Sequence, residues 1–236
     1  MTSSDFSLPE LALYLHVSPQ QVERLVQREL LPGRRVGGEW RFSRADVHHW
    51  MEQRMGLLAE EELERVERRL HRGDSDGVVG SLARMLPREA VAVPLQARTK
   101  YSAFTEIVEV AARTGLLWDA ERMMEAVRQR EELHSTALEN GVALLHPRRP
   151  LAAILAEPFL ALGTTSQGIP FGGGRMLTDV FFLICSTNDR GHLQTLARLS
   201  RLLSQSDFLT ALRSATDAAT AYDVVVSAEA RIDGDL

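Results

Sequence analysis

The first part of the chain repeats apolar side chains at helical spacing. Leu8, Leu11, Ala12 and Leu15 recur every three or four positions and predict an amphipathic helix. Val17-Ser18-Pro19 ends it. Ser18 with Gln21 forms a capping box, and Pro19 takes the first helical position, where a missing N–H costs nothing. A second helix is predicted from Pro19 to about Arg28, with Val22 and Leu25 turned inward. Gln20, Gln21, Glu23, Arg24 and Arg28 are left on its outer face. Two helices joined by so short a break make a helix-turn-helix. After Leu31-Pro32-Gly33 the period changes. Arg35-Val36 and Trp40-Arg41-Phe42 alternate around Gly37-Gly38, which predicts a β-hairpin. Ser43 then caps a third helix, from Arg44 to about Arg54, with Val47 and Trp50 inward.

From about residue 85 onward the rhythm is different. Val91-Ala92-Val93, Val142 to Leu145 and Val180 to Cys185 are short apolar runs that read as buried strands. Helical stretches follow Lys100 and cover His192 to Leu203 and Asp207 to Arg213, and another starts near Ala221. Helices alternating with strands over 85–232 argue an α/β domain. Gly172-Gly173-Gly174 lies between two strand-like runs and predicts a hairpin turn. It lacks the lysine and the serine or threonine of a phosphate-binding loop. Between the two parts, Glu60 to Arg72 is dense in Glu and Arg, with Leu63, Val66 and Leu70 on one stripe. It reads equally as a short dimerising helix and as a solvated linker helix. Gly73 to Gly77 reads as a break, and Val79 to Leu86 as a further short helix. The expected organisation is a mainly α, winged helix-turn-helix unit at 1–55, a helical linker at 56–84 and an α/β domain at 85–236.

Composition narrows the class. An apolar content of 44% and a charged content of 25% in 236 residues are those of a soluble globular protein. No apolar run reaches the length of a membrane span, so no membrane partner is expected. The N-terminus, MTSSDFSLPE, lacks the basic and apolar regions of a secretory signal. The single cysteine, Cys185, excludes an internal disulfide and reads as a buried strand residue, which favours the cytoplasm. The net charge of -5 hides an uneven spread. The stretch 23–44 holds six arginines (24, 28, 34, 35, 41 and 44) against three glutamates (23, 29 and 39), a local excess of three positive charges.

The candidate chemistry centres on REELHSTALENGVALLHPR, residues 130–148. His146 stands at the exit of a buried strand that Asn140-Gly141 opens and Pro147 closes. A residue before proline is held extended, and an imidazole there suits nucleophilic work near neutral pH. Arg130 lies sixteen residues before it and His192 forty-six after it. Taken alone, His146 reads more readily as a satisfied loop histidine; the wider pattern overturns that.

The run RE, then ST, then NGVA, then histidine resembles the active-site segment of the fructose/mannitol/nitrogen-type enzyme IIA proteins of the bacterial sugar phosphotransferase system. FLALGTTSQGIPF (159–171), the apolar run at 179–185 and HLQTLARLSRLL (192–203) continue the likeness in order, and Lys100 with its helix matches the family's opening. The likeness covers about 85–232. It departs where Leu145 replaces the proline before the histidine, where Pro147 follows it, and where STALENG stands for a glycine-rich STGIGNG. The resemblance implies a mixed sheet flanked by helices and a phosphoryl group carried on His146. Arg130 and His192 would sit beside it, and Ser135 and Thr136 would serve as hydroxyl donors. It implies a phosphohistidine carrier protein as donor, no cofactor and no metal.

Residues 11–50, LALYLHVSPQQVERLVQRELLPGRRVGGEWRFSRADVHHW, resemble the excisionase-type helix-turn-helix of the MerR-like winged class. That resemblance implies double-stranded DNA as partner. Gln20, Gln21, Arg24 and Arg28 would face bases and nearby phosphates, and Arg34, Arg35 and Arg41 would face phosphates from the wing. One such unit makes few phosphate contacts, so a homodimer is the expected binding form. The two resemblances on one chain suggest a regulator that reads phosphotransferase status. A plain transport component with a protein-docking N-terminal unit, and a regulator with an unphosphorylated IIA-like unit, are the alternatives.

Overall fold

The computed structural model describes residues 5–15, 17–44, 46, 47, 50, 51, 81–172 and 177–234. The chain divides into two compact units, Met1–Leu58 and Ala59–Leu236. The expected linker helix at 60–72, the break at 73–77 and the glycines 173 and 174 lie outside the described residues.

The N-terminal unit runs β1 (Asp5–Ser7), α1 (Leu8–Tyr14), α2 (Pro19–Gln27), β2 (Arg34–Val36) and β3 (Glu39–Ser43). Residues 44, 46, 47, 50 and 51 are helical. Both helices start from reciprocal caps. Ser18 N donates to Gln21 Oε1 at 2.9 Å while Gln21 N donates to Ser18 Oγ at 3.3 Å, and Ser7 and Glu10 form the same box before α1. The wing is larger than the expected hairpin, so the unit sets a full sheet beside its helices. β1 pairs with β3 to give a three-stranded antiparallel sheet in the order β1-β3-β2. Three residues are too few to show a period of two, so β1 is invisible in the sequence. It is decided by Phe6, which lies opposite Phe42 and is buried with it. Val22, Val26, Leu11 and Phe42 fill the small core. Leu25, expected inward with Val22, is only partly buried, and Val26 takes that place.

The C-terminal unit opens with a one-turn helix, α3 (Leu82–Met85), and continues β4 (Val91–Leu95), α4 (Lys100–Ala112), α5 (Ala120–Leu133), β5 (Val142–Leu145), β6 (Phe159–Pro170), β7 (Leu177–Cys185), α6 (Asp189–Ser204), α7 (Ser206–Ser214) and α8 (Ala218–Gly234). The four strands form a mixed sheet in the order β4-β6-β7-β5. β4 runs parallel to β6, β6 antiparallel to β7, and β5 parallel to β7. Residues 143, 145, 159, 161, 181, 183 and 185 share one core with α4 and α5. Their alternates Val142, Leu144, Leu160, Leu162, Val180, Phe182 and Ile184 are buried too. A sheet covered on both faces explains why the strands read as unbroken apolar runs rather than alternating ones. Cys185 is one of these buried residues, and burial pushes its thiol pKa up, away from reactivity.

α6 is the most enclosed helix. His192 to Leu203 are all buried, including Gln194, Thr195, Arg198, Ser200 and Arg201. Opposite its start, the chain reverses into β5. Leu138 N donates to Val142 O at 2.7 Å, Leu144 N to Thr136 O at 3.2 Å, and Ala137 pairs with Ala143. Gly141 closes this turn at φ 84° and is braced from behind. Its carbonyl accepts from Asp179 N at 2.9 Å, and Arg213 reaches Asn140 O at 2.6 Å while forming a two-point pair with the Asp179 carboxylate. A Cβ on Gly141 would fall 2.7 Å from Arg213 Nη2 and 3.1 Å from Leu177 O. Gly141→Ala therefore combines left-handed strain with a clash, and should lower unfolding free energy by about 2 kcal/mol in urea titration.

Candidate functional site

His146 leaves the C-terminal end of β5, one residue after the Leu145–Leu183 pairing, and is 2% exposed. The extended geometry expected before Pro147 carries its ring back over the strand. His146 Nδ1 lies 2.8 Å from Leu144 O. A carbonyl oxygen only accepts, so Nδ1 holds the proton of the neutral ring and Nε2 holds the lone pair. The strand's own backbone thus selects which nitrogen is nucleophilic.

His192 comes from the helix that follows β7, the strand parallel to β5 and beside it. Asn188 caps α6 by accepting from Gly191 N at 2.8 Å, and His192 follows as the fourth helical residue. Its ring centroid is 4.8 Å from that of His146, with the planes at 49°. His192 Nδ1 lies 3.3 Å from Ser186 Oγ. Two histidines forty-six residues apart are therefore in ring contact, with the positive end of a helix beside them.

Arg130 sits in the last turn of α5 and is 5% exposed. Its Nη1 donates to His134 O at 2.8 Å. Arg130 and Pro147, the residue next to His146, line one cavity of about 540 Å³ together with Leu133, Arg148, Arg149 and Leu151. The cavity is lined by three arginines and one glutamate, Glu132, so it favours anions.

Ser135 and Thr136 are placed differently from simple phosphate donors. Both hydroxyls are given to Glu131, a residue the sequence reading passed over. Glu131 is 4% exposed and its carboxylate receives four donors. Ser135 Oγ lies 2.6 Å and Lys100 Nζ 3.1 Å from Oε1, and Thr136 N and Oγ1 lie 2.8 and 2.6 Å from Oε2. Glu131 thereby fixes residues 134–136, which present the carbonyl that holds Arg130 and the carbonyl that pairs with β5. The spacing RE-x-x-x-ST was the available signal, since residues four and five beyond a glutamate in a helix's last turn can fold back onto it. The partner Lys100, thirty-one residues earlier, carried no such signal.

The altered STALENG segment is compatible with this geometry. Among the described non-glycine residues only Glu29 has a positive φ, so Ala137-Leu138-Glu139 form their turn without glycine. Glu139 is exposed.

On the N-terminal unit, Gln20, Gln21, Arg24 and Arg28 are exposed on α2. Gln21 is also committed to the cap of its own helix. Arg35 stacks over Trp40 at 5.0 Å. Arg34 pairs with Asp5 at 2.7 Å and Arg41 with Glu39 at 3.0 Å, so two of the three wing arginines already hold a carboxylate.

The family model for the phosphoenolpyruvate-dependent sugar phosphotransferase system, EIIA 2, matches residues 84–227. A helix-turn-helix domain model matches residues 6–55. The nitrogen regulatory protein of Bradyrhizobium diazoefficiens is 32% identical over 140 residues, 58% of this chain and 89% of that protein. The fructose-specific EIIABC component of Bacillus subtilis is 24% identical over 147 residues, 61% of this chain; the chain spans only 23% of that larger component. The crystal structure of the nitrogen regulatory protein IIA-Ntr from Neisseria meningitidis shares the fold at a TM-score of 0.54, with 23% identity over 61% of this chain and 97% of that one.

The Glu131 arrangement has a measurable consequence. Glu131→Ala leaves four buried or half-buried donors without their acceptor and should cost about 3 kcal/mol in chemical denaturation. Ser135→Ala removes one donor and should cost about 1 kcal/mol.

Proposed function

The chain belongs to the EIIA 2 family of the phosphoenolpyruvate-dependent sugar phosphotransferase system, and on that premise we propose that it is a phosphotransferase-linked regulator. His146 accepts a phosphoryl group from a phosphohistidine carrier protein, and the modification alters DNA binding by the helix-turn-helix unit. The observation that carries the first half is the paired histidines, with Nδ1 of His146 engaged by Leu144 O and the ring of His192 4.8 Å away.

The chemistry follows from that geometry. The Nε2 lone pair of His146 attacks the phosphorus of the donor's phosphohistidine in line. The new N–P bond forms as the donor's N–P bond breaks, and that electron pair returns to the donor's ring nitrogen. Such transfer asks for positioning and neutralisation of charge rather than covalent help. The Arg130 guanidinium supplies paired N–H donors for the phosphoryl oxygens. With Ser186 Oγ–H donating to its Nδ1, His192 keeps a proton on Nε2 and gives it as a hydrogen bond to another oxygen. The start of α6 adds its own positive field. Ser135 and Thr136 act through Glu131, by holding the segment on which Arg130 rests. The donor's phosphate reaches the site past the arginine-lined cavity beside Pro147.

The second half rests on the exposed polar face of α2 and on the wing. Gln20, Arg24 and Arg28 read the major groove, with Gln21 contributing from its capping position, and Arg35 reaches a phosphate from the wing. Arg34 and Arg41, already paired, add less. A doubly charged group at His146 is the switch, and a change in arrangement of the units or of a dimer is the readout.

Incubation with a phosphorylated histidine carrier protein should put acid-labile phosphate on the intact chain and none on His146→Ala. Arg130→Ala should slow incorporation about 100-fold. A folded chain that takes no label would make the IIA unit an unphosphorylated module. In duplex binding measured across salt, Arg28→Ala should weaken affinity about tenfold and reduce the salt slope by about one, with a smaller effect for Arg34→Ala. Failure to bind any duplex would instead favour a transport component whose N-terminal unit docks to protein.

A further inference from the structure

α6 begins at the paired histidines and, further along, holds the first described residues after the interval that joins the two units. His192 stands in its first turns. Thr195, one turn on and 2% exposed, donates Oγ1 to Gly191 O at 2.9 Å within α6, and the same oxygen lies 3.7 Å from Met85 Sδ of α3. Arg198, a further turn on and 6% exposed, donates Nε to Glu229 Oε1 of α8 at 2.7 Å and Nη2 to Asp233 Oδ1 at 2.5 Å. Glu229 is itself 3% exposed, and its carboxylate clasps the start of α3. Oε1 accepts from Leu82 N at 2.5 Å, and Oε2 accepts from Ser81 Oγ and Ala83 N, each at 2.8 Å. A four-residue helix has too little internal bonding to hold itself, so its place is set by this carboxylate and by the flank of α6.

We propose that α6 carries the phosphoryl state of His146 to residues 81–85 through the Arg198–Glu229 clasp, and that phosphorylation tightens the clasp. The inference rests on the phosphocarrier reading given above. A doubly negative group at His146 Nε2 draws the His192 ring and the N-terminal end of α6 toward it. His192 to Leu203 are buried on every side, so the helix cannot adjust at one end without its neighbours, and close-packed elements answer in discrete steps. α6 meets α3 directly at Thr195, and Arg198 reaches it through Glu229 of α8. The clasp thus sits where the state of the phosphorylatable unit can leave it along the covalent chain.

The test is amide hydrogen exchange at Leu82 and Ala83 in the full chain, with and without phosphate on His146, the label being counted on the same sample. Phosphorylation should slow exchange at both amides about tenfold. Glu229→Gln should reduce that difference to less than about twofold while His146 still takes label, and should remove any difference in duplex affinity between the two states. Ser81→Ala, which deletes one donor only, should leave about threefold. Full label with equal exchange in the two states of the unaltered chain overturns the clasp and spares the phosphocarrier reading. Absence of label overturns both. A phosphorylation-dependent duplex affinity that survives in folded Glu229→Gln also overturns the clasp.

Discussion

A carboxylate at 4% exposure is costly to bury unless its lone pairs are used, and Glu131 uses them on four donors from two other stretches of chain. Lys100 brings the start of α4, Glu131 itself brings the end of α5, and Ser135 with Thr136 brings the strand partner of β5. Arg130 is held by the carbonyl of His134, just before the residues that Glu131 fixes. His146 stands at the end of the strand that those residues pair with. Arg130 and His146 therefore both lean on segments that Glu131 holds. The Ser135 and Thr136 hydroxyls, expected as phosphate donors, donate to Glu131 inside this network.

Burial on both faces of the sheet sets the second constraint. β5 and the stretch of β7 that pairs with it, Val180 to Leu183, are apolar at every position, so nothing in their side chains is left to orient the histidine. Orientation comes from the backbone instead. The Leu144 carbonyl takes the Nδ1 proton, and Asn188 caps the helix that presents His192. Both are local devices, short in sequence and independent of the packing around them. Leu145 and Pro147, the two departures, flank the ring so placed. Leu145 completes the strand opposite Leu183, and Pro147 follows the histidine.

The N-terminal unit solves a different problem. Its core is small, and its three-stranded sheet depends on one aromatic pair, Phe6 with Phe42. Charged residues around it divide into those that brace the sheet, such as Asp5 with Arg34 and Glu39 with Arg41, and those left on the face of α2. The same residue type thus serves structure on the wing and remains available on the helix. Only the positions of the carboxylates distinguish the two uses.

The sequence alone determined both helices of the N-terminal unit and the runs at 142–145 and 180–185, because caps, turn residues and apolar periods act over a few neighbours. It also marked His146, Arg130 and His192, since their motifs keep order and spacing along the chain. Tertiary structure decided what depends on residues far apart meeting in space. It added β1, which pays for its shortness only by pairing with β3. It put Val26 in the core in place of Leu25. It turned Ser135 and Thr136 onto Glu131, and it joined Arg198 to Glu229 across α6 and α8. Each of these is a contact whose partner lies outside any local window, so no pattern of neighbours could announce it.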